Sequence, residues 1–125
     1  MSAIYFLLSL TIFLPIISST PSPPVIYSAI IYNGQDSTIE CKVTWLKPTE
    51  ELLESNSFQI PVRKGYPIGE KLFDMGGWEA RAVINKIDCG TVSVTAPFEG
   101  VSSPSINWRF VVRSKKIFSV KPKPI

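Results

Sequence analysis

The side chains able to do chemistry in this chain fall into three groups: two cysteines, one short acidic cluster and a basic run near the C-terminus. Cys41 and Cys89 are the only cysteines. They show no CxxC spacing and have no second cluster of ligands beside them, which argues against a metal site or a reactive thiol pair. An even cysteine count in an oxidising compartment points to a disulfide. In the chain-entropy model, closing a loop of this length is worth about 4 kcal/mol. Glu50, Glu51 and Glu54 form the densest acidic cluster. Carboxylates this close can hold a cation or divide acid and base roles. The Asp-x-Asp-x-Asp-Gly spacing of a calcium loop is missing, so the cluster is expected to be a solvated loop.

Histidine is absent. That removes the commonest general base and the commonest metal ligand, and it excludes Ser-His-Asp and Cys-His catalysis. No catalytic residue, cofactor site or metal site is therefore expected. No Asn-x-Ser/Thr sequon occurs either, since Asn33, Asn56, Asn85 and Asn107 each lack the hydroxyl residue two positions on.

The net charge of +3 conceals a polarity. Residues 1–100 hold seven basic and ten acidic residues, whereas residues 101–125 hold six basic residues and no acid. The basic set is Arg109, Arg113, Lys115, Lys116, Lys121 and Lys123. Arg109 and Arg113 share one parity of an extended strand, which puts them about 13 Å apart. Such a row suits an extracellular polyanion, with strong salt dependence; its structural alternative is lysine protection of an edge strand. Nucleic acid is disfavoured, because no aromatic residues that would be exposed interleave with these charges.

Three indoles, Trp45, Trp78 and Trp108, each sit on the apolar parity of their own segment and are expected in the core, with Trp78 the one most open to solvent. The stretch Asp74-Met75-Gly76-Gly77-Trp78 has a glycine pair whose amides could cradle an anion. No strand-to-helix transition follows it, so it reads as a turn.

The elements that must position these groups begin after residue 20. Residues 3–17 are an uncharged apolar run, followed by Ser18, Ser19, Thr20 and a Pro-rich stretch. Residues 1–19 read as a helical signal peptide, and the run is too short for a spanning helix of roughly 20 residues. Residues 20–24 form a stiff spacer. Residues 25–120 form one domain near the modal size, and 121–125 a basic Pro-rich tail.

Within the domain, Val25 to Tyr32 is rich in β-branched and aromatic residues. Asn33-Gly34 is a tight-turn dipeptide, so this run is expected to form a hairpin with the next. In that next run Ile39, Cys41, Val43 and Trp45 alternate with Glu40, Lys42 and Thr44, the pattern of a strand with one wet face. Residues 48–54 read as loop, too short for a stable helix. Further strands are expected at 57–63, an edge because of Pro61, and at 71–75, 78–85, 92–96, 106–113 and 116–120. Cys89 falls at a corner, off the inward parity of Val92 and Val94.

Seven or eight short strands with close turns point to a small all-β antiparallel β-sandwich of immunoglobulin-like or fibronectin-like architecture. The immunoglobulin signature itself is missing: Trp45 is four residues after Cys41 on the same strand, and Ile87 stands where a tyrosine would. The expected function is that of a secreted, extracellular, non-enzymatic protein acting by surface recognition or as a structural component. Its expected partner is an extracellular polyanion or protein, with no nucleic acid and no stable membrane insertion after processing. The alternative is a small carrier holding an apolar ligand between its sheets with the tryptophans and Tyr27 or Tyr32.

Overall fold

A computed structural model describes residues 23–122. The leader, the start of the spacer and Lys123 lie outside the described residues. Every regular element among the described residues is a β-strand: β1 (Ala29–Asn33), β2 (Ile39–Leu46), β3 (Leu52–Glu54), β4 (Phe58–Ile60), β5 (Gly65–Ile68), β6 (Leu72–Asp74), β7 (Glu79–Arg81), β8 (Val83–Cys89), β9 (Val92–Thr95), β10 (Trp108–Val112) and β11 (Ile117–Val120). One sheet runs β11-β10-β1-β5. A second runs β3-β2-β8-β9, with β4 also on β2, and β6-β7 form a separate hairpin. All pairings are antiparallel except that of β1 with β10, which is parallel.

The inner residues of both large sheets belong to one buried cluster. Ile31, Phe110, Val112 and Ile117 come from the first sheet, and Val43, Trp45, Ile60, Ile84 and Ile87 from the second. The alternation in β2 leaves Glu40 and Lys42 reaching solvent while Cys41, Val43 and Trp45 are covered; Thr44, on the outer parity, is buried as well.

The expected hairpin of the first two runs does not form. β1 pairs with β10 and β5, and β2 lies in the other sheet. Asn33 causes the crossing. Its buried side chain accepts a hydrogen bond from the Gln35 N–H (2.8 Å) and donates to the Ser37 and Ile60 carbonyls (2.8 and 2.9 Å). The local turn is thus closed by the side chain, not by a ladder, and the chain passes to the second sheet.

The strands number eleven instead of seven or eight because β3 and β5 form where no strand was expected and the 78–85 run divides into β7 and β8. The expected 48–54 loop contains β3, and Ser55 to Ser57 interrupt the edge between β3 and β4. At the gap Ser55 Oγ accepts from the Val43 N–H at 2.9 Å, filling the missing ladder position. The 78–85 run breaks at Ala82, whose N–H still donates to the Lys71 carbonyl of the small hairpin. The first strand starts at Ala29, not Val25, since Val25 and Tyr27 exchange hydrogen bonds with the backbone of Ser105 outside any strand.

Cys89 is a further correction: it is no corner residue, but ends β8 opposite Cys41 of β2. Thr44 pairs with Lys86 and Trp45 with Ile84, leaving Asn85 as an extra residue. This bulge inverts the parity of β8. Ile84, Ile87 and Cys89 therefore all face inward. The disulfide joins two neighbouring strands at a Cα separation of 4.1 Å, the close approach of a non-hydrogen-bonded pair.

Candidate functional site

The parallel register of β1 and β10 sets the geometry of the basic residues. Ser28 anchors it: its hydroxyl accepts from the Asn107 N–H at 2.8 Å, and its carbonyl accepts from the Trp108 N–H at 3.1 Å. Trp108 Nε1 donates to Ser119 Oγ (2.8 Å), and Ser119 Oγ donates to the Glu99 carbonyl. These bonds fix β11 beside β10, so alternate residues of three strands form rows on the outer face. Ile30, Arg109 and Val120 make one row, and Tyr32, Val111 and Phe118 the next. The third holds Gly34, Arg113 and Lys116, where backbone hydrogen bonds run from Gly34 N–H to Val112 and from Arg113 N–H to Lys116.

Gly34 lets Arg113 lie across it. A Cβ there would stand 3.0 Å from the Val112 carbonyl oxygen and 3.2 Å from both Arg113 Nε and a Val111 methyl. Arg113 Nη1 lies 3.5 Å from the Gly34 carbonyl. Lys116 Nζ sits 5.0 Å from the centre of the Phe118 ring, within cation–π range.

Of the sequence-predicted basic set, Arg109, Arg113 and Lys116 thus meet on one face. Lys115 is exposed in the β10–β11 turn, Lys121 is exposed just past β11, and Lys123 lies outside the described residues. Among the described residues none of these five takes part in an ion pair; all five pairs present involve residues before 100. None of β1, β5, β10 and β11 contains an aspartate or glutamate.

Sequence reasoning missed the apolar residues between the charges, and the expectation that no exposed aromatic residue interleaves with them is corrected by Tyr32 and Phe118. Tyr32, Phe118 and Val120 are 37%, 43% and 38% exposed on this face. Two adjoining hollows of about 320 and 290 Å³ share Val111 and Val120 as walls. The available signals were Val111, on the outward parity between Arg109 and Arg113, and β1, which is apolar on both parities.

The remaining candidates disperse. Glu51 pairs with Lys47 and Glu54 with Lys42, so the acidic cluster is divided between separate cations. Asp74 accepts from the Gly76 and Gly77 N–H groups, which occupies the amides an anion would use. Both glycines have positive φ (88° and 106°), as their tight turn requires. Trp45 and Trp108 are buried, and Trp78 projects from that turn at 61% exposure. Tyr27 lies beneath the Arg81 guanidinium at 3.8 Å. A groove of about 410 Å³ opens at the edge where β4 and β5 approach, floored by Val43, Trp45, Phe58, Tyr66 and Ile68.

Comparison with family models, with curated proteins and with solved structures finds no match for this chain.

Proposed function

We propose that this is a secreted, non-enzymatic protein that works by surface recognition, binding an extracellular polyanion through Arg109 of β10, the basic residues of the β10–β11 turn and Lys121 just past β11. One observation carries the reading: Arg109, Arg113 and Lys116 are gathered on one sheet face with no carboxylate in its four strands. The apolar leader and the Cys41–Cys89 disulfide support an extracellular location. Two sheets around a shared core support a β-sandwich of immunoglobulin-like or fibronectin-like architecture. The parallel β1–β10 pair and a bridge within one sheet, not between two, are its departures from that type.

The carrier reading has one observation in its favour, the groove at the β4–β5 edge. Its floor is already occupied by the stacked Phe58 and Tyr66 rings, 4.2 Å apart, so the surface reading is preferred.

Heparin chromatography tests the proposal. The wild type is expected to elute well above physiological salt. The Arg109→Ser, Arg113→Ser, Lys115→Ser, Lys116→Ser variant is expected to elute much earlier, since exposed charges act within a Debye length of about 8 Å. Co-elution of the two, or elution of the wild type near physiological salt, leaves the lysines only the role of edge protection.

A further inference from the structure

We infer that the outer face of the β11-β10-β1-β5 sheet docks on an acidic phospholipid surface, an inference that rests on the basic set being an anion-binding site. Tyr32, Val111 and Phe118 form an apolar row across three strands. Arg109 lies on one side of the row, and Arg113 with Lys116 on the other. The two arginines are about 13 Å apart along the strand, and four strands make a face about 14 Å wide.

The mixture of the two chemistries selects the occupant. A sulfated glycan satisfies the arginines and lysines, and a sugar ring can stack on one aromatic face, but it has no aliphatic phase to take up Tyr32, Phe118 and Val120 together. A second copy of the chain would cover the apolar row, yet it would bring cationic faces together with no carboxylate on their strands to offset them. An acidic bilayer offers both complements. Its headgroups attract lysine and arginine near the surface, and the headgroup–acyl boundary accepts aromatic and aliphatic side chains to a depth of 5–10 Å. Lys116 over the Phe118 ring places the charge and the apolar anchor of such a contact side by side. The hollows flanking Val111 and Val120 give acyl or glycerol groups room beside the arginines. The association is peripheral and reversible, because the strands of this face are four or five residues long and a spanning strand needs about 9–11.

Vesicle co-sedimentation of the secreted protein tests this, using phosphatidylcholine vesicles with and without a third of phosphatidylserine, and heparin retention in parallel. The wild type is expected to bind the serine-lipid vesicles at least about tenfold more tightly than the neutral ones. The Tyr32→Ser, Phe118→Ser variant is expected to lose about tenfold of that binding while keeping its heparin retention. A Trp78→Phe, Phe118→Trp protein, which conserves an aromatic at the site, is expected to blue-shift its emission on serine-lipid vesicles, a shift that Trp78→Phe alone does not show. The inference falls if Tyr32→Ser, Phe118→Ser binds vesicles like the wild type, or if the tryptophan emission does not move. Heparin retention without vesicle binding also overturns it and leaves the polyanion reading standing, with the face a glycan site. Loss of both removes the two together. A concentration-dependent dimer that the Tyr32→Ser, Phe118→Ser variant abolishes would assign the face to a second copy instead.

Discussion

On the outer face of the β3-β2-β8-β9 sheet, Lys42 meets Glu54 at 3.2 Å and Lys86 meets Asp88 at 3.5 Å, with Ser93 and Thr95 of β9 completing a polar surface. On the outer face of the β11-β10-β1-β5 sheet, Arg109, Arg113 and Lys116 surround Tyr32, Val111 and Phe118. Both faces look into solvent. The first carries its own counter-charges and buries no demand for a partner; the second holds cations and apolar rings whose complements are not in its own strands. A strand with polar residues on alternate positions needs only one covered side. β1, apolar on both parities, is covered on one side and left partly bare on the other. The difference between the faces is what directs the functional reading to the second.

The largest effect should come from beneath the paired face. Cys41 and Cys89 lie on its inner side, at most 3% exposed, and close a loop with a sequence separation of 48. Replacing both with alanine is expected to cost about 2–5 kcal/mol in denaturant unfolding. Heparin retention, measured where the variant is still folded, is expected to stay. A parallel loss of retention in folded protein would show that the basic face depends on the geometry of the other sheet, and the two faces could no longer be treated as separate.

Asn33 is the joint between the sheets. It ends β1, and its amide reaches Ile60 at the end of β4. Asn33→Ala removes three hydrogen bonds and leaves the Ile60 carbonyl without that partner, a loss of about 2–3 kcal/mol by thermal or denaturant unfolding. Since Gly34 and Arg113 follow directly from this turn, a shift in heparin elution is expected as well. Unchanged stability and elution would mean that the turn is held by its backbone alone.

Much of the paired face was legible in the sequence and much of the other was not. Ile39 to Leu46 alternates by residue type, so its inner face follows from period two, although Thr44 on the outer parity is buried where it pairs between Glu54 and Lys86. Trp45 and Trp108 went where their parity put them. Cys89 did not, because it pairs with Val92 across the two-residue Gly90-Thr91 turn, where odd and even numbers share a face, and the bulge at Asn85, which has no composition of its own, hides its parity from the 78–84 run as well. The partner of β1 was illegible for another reason. Asn33-Gly34 is the local signal of a hairpin, but the observed parallel pairing with β10 joins segments nearly 80 residues apart and is set by Ser28, Asn107 and the shared core. The basic residues could be counted from the sequence; the apolar row among them appears only when Tyr32, Val111 and Phe118 are brought side by side from three strands.

The smallest effect compares the charges themselves. Lys42 and Glu54 are 39% and 59% exposed, so their pair is screened by water and salt. A double-mutant cycle with Lys42→Ala and Glu54→Ala is expected to give a coupling of about 0.2–1 kcal/mol that shrinks as salt is added. The same cycle on Arg109 and Arg113 is expected to give no stabilising coupling. They are like charges about 13 Å apart, beyond the Debye length of about 8 Å, and among the described residues neither takes part in an ion pair. Each single arginine substitution should leave stability within about 0.5 kcal/mol, as surface changes away from caps and cores do. A loss above about 1 kcal/mol at either arginine would mean that its guanidinium supports the fold, for Arg113 through the Gly34 carbonyl. The charges of the two faces would then serve one purpose, and the asymmetry between them would no longer point to a ligand.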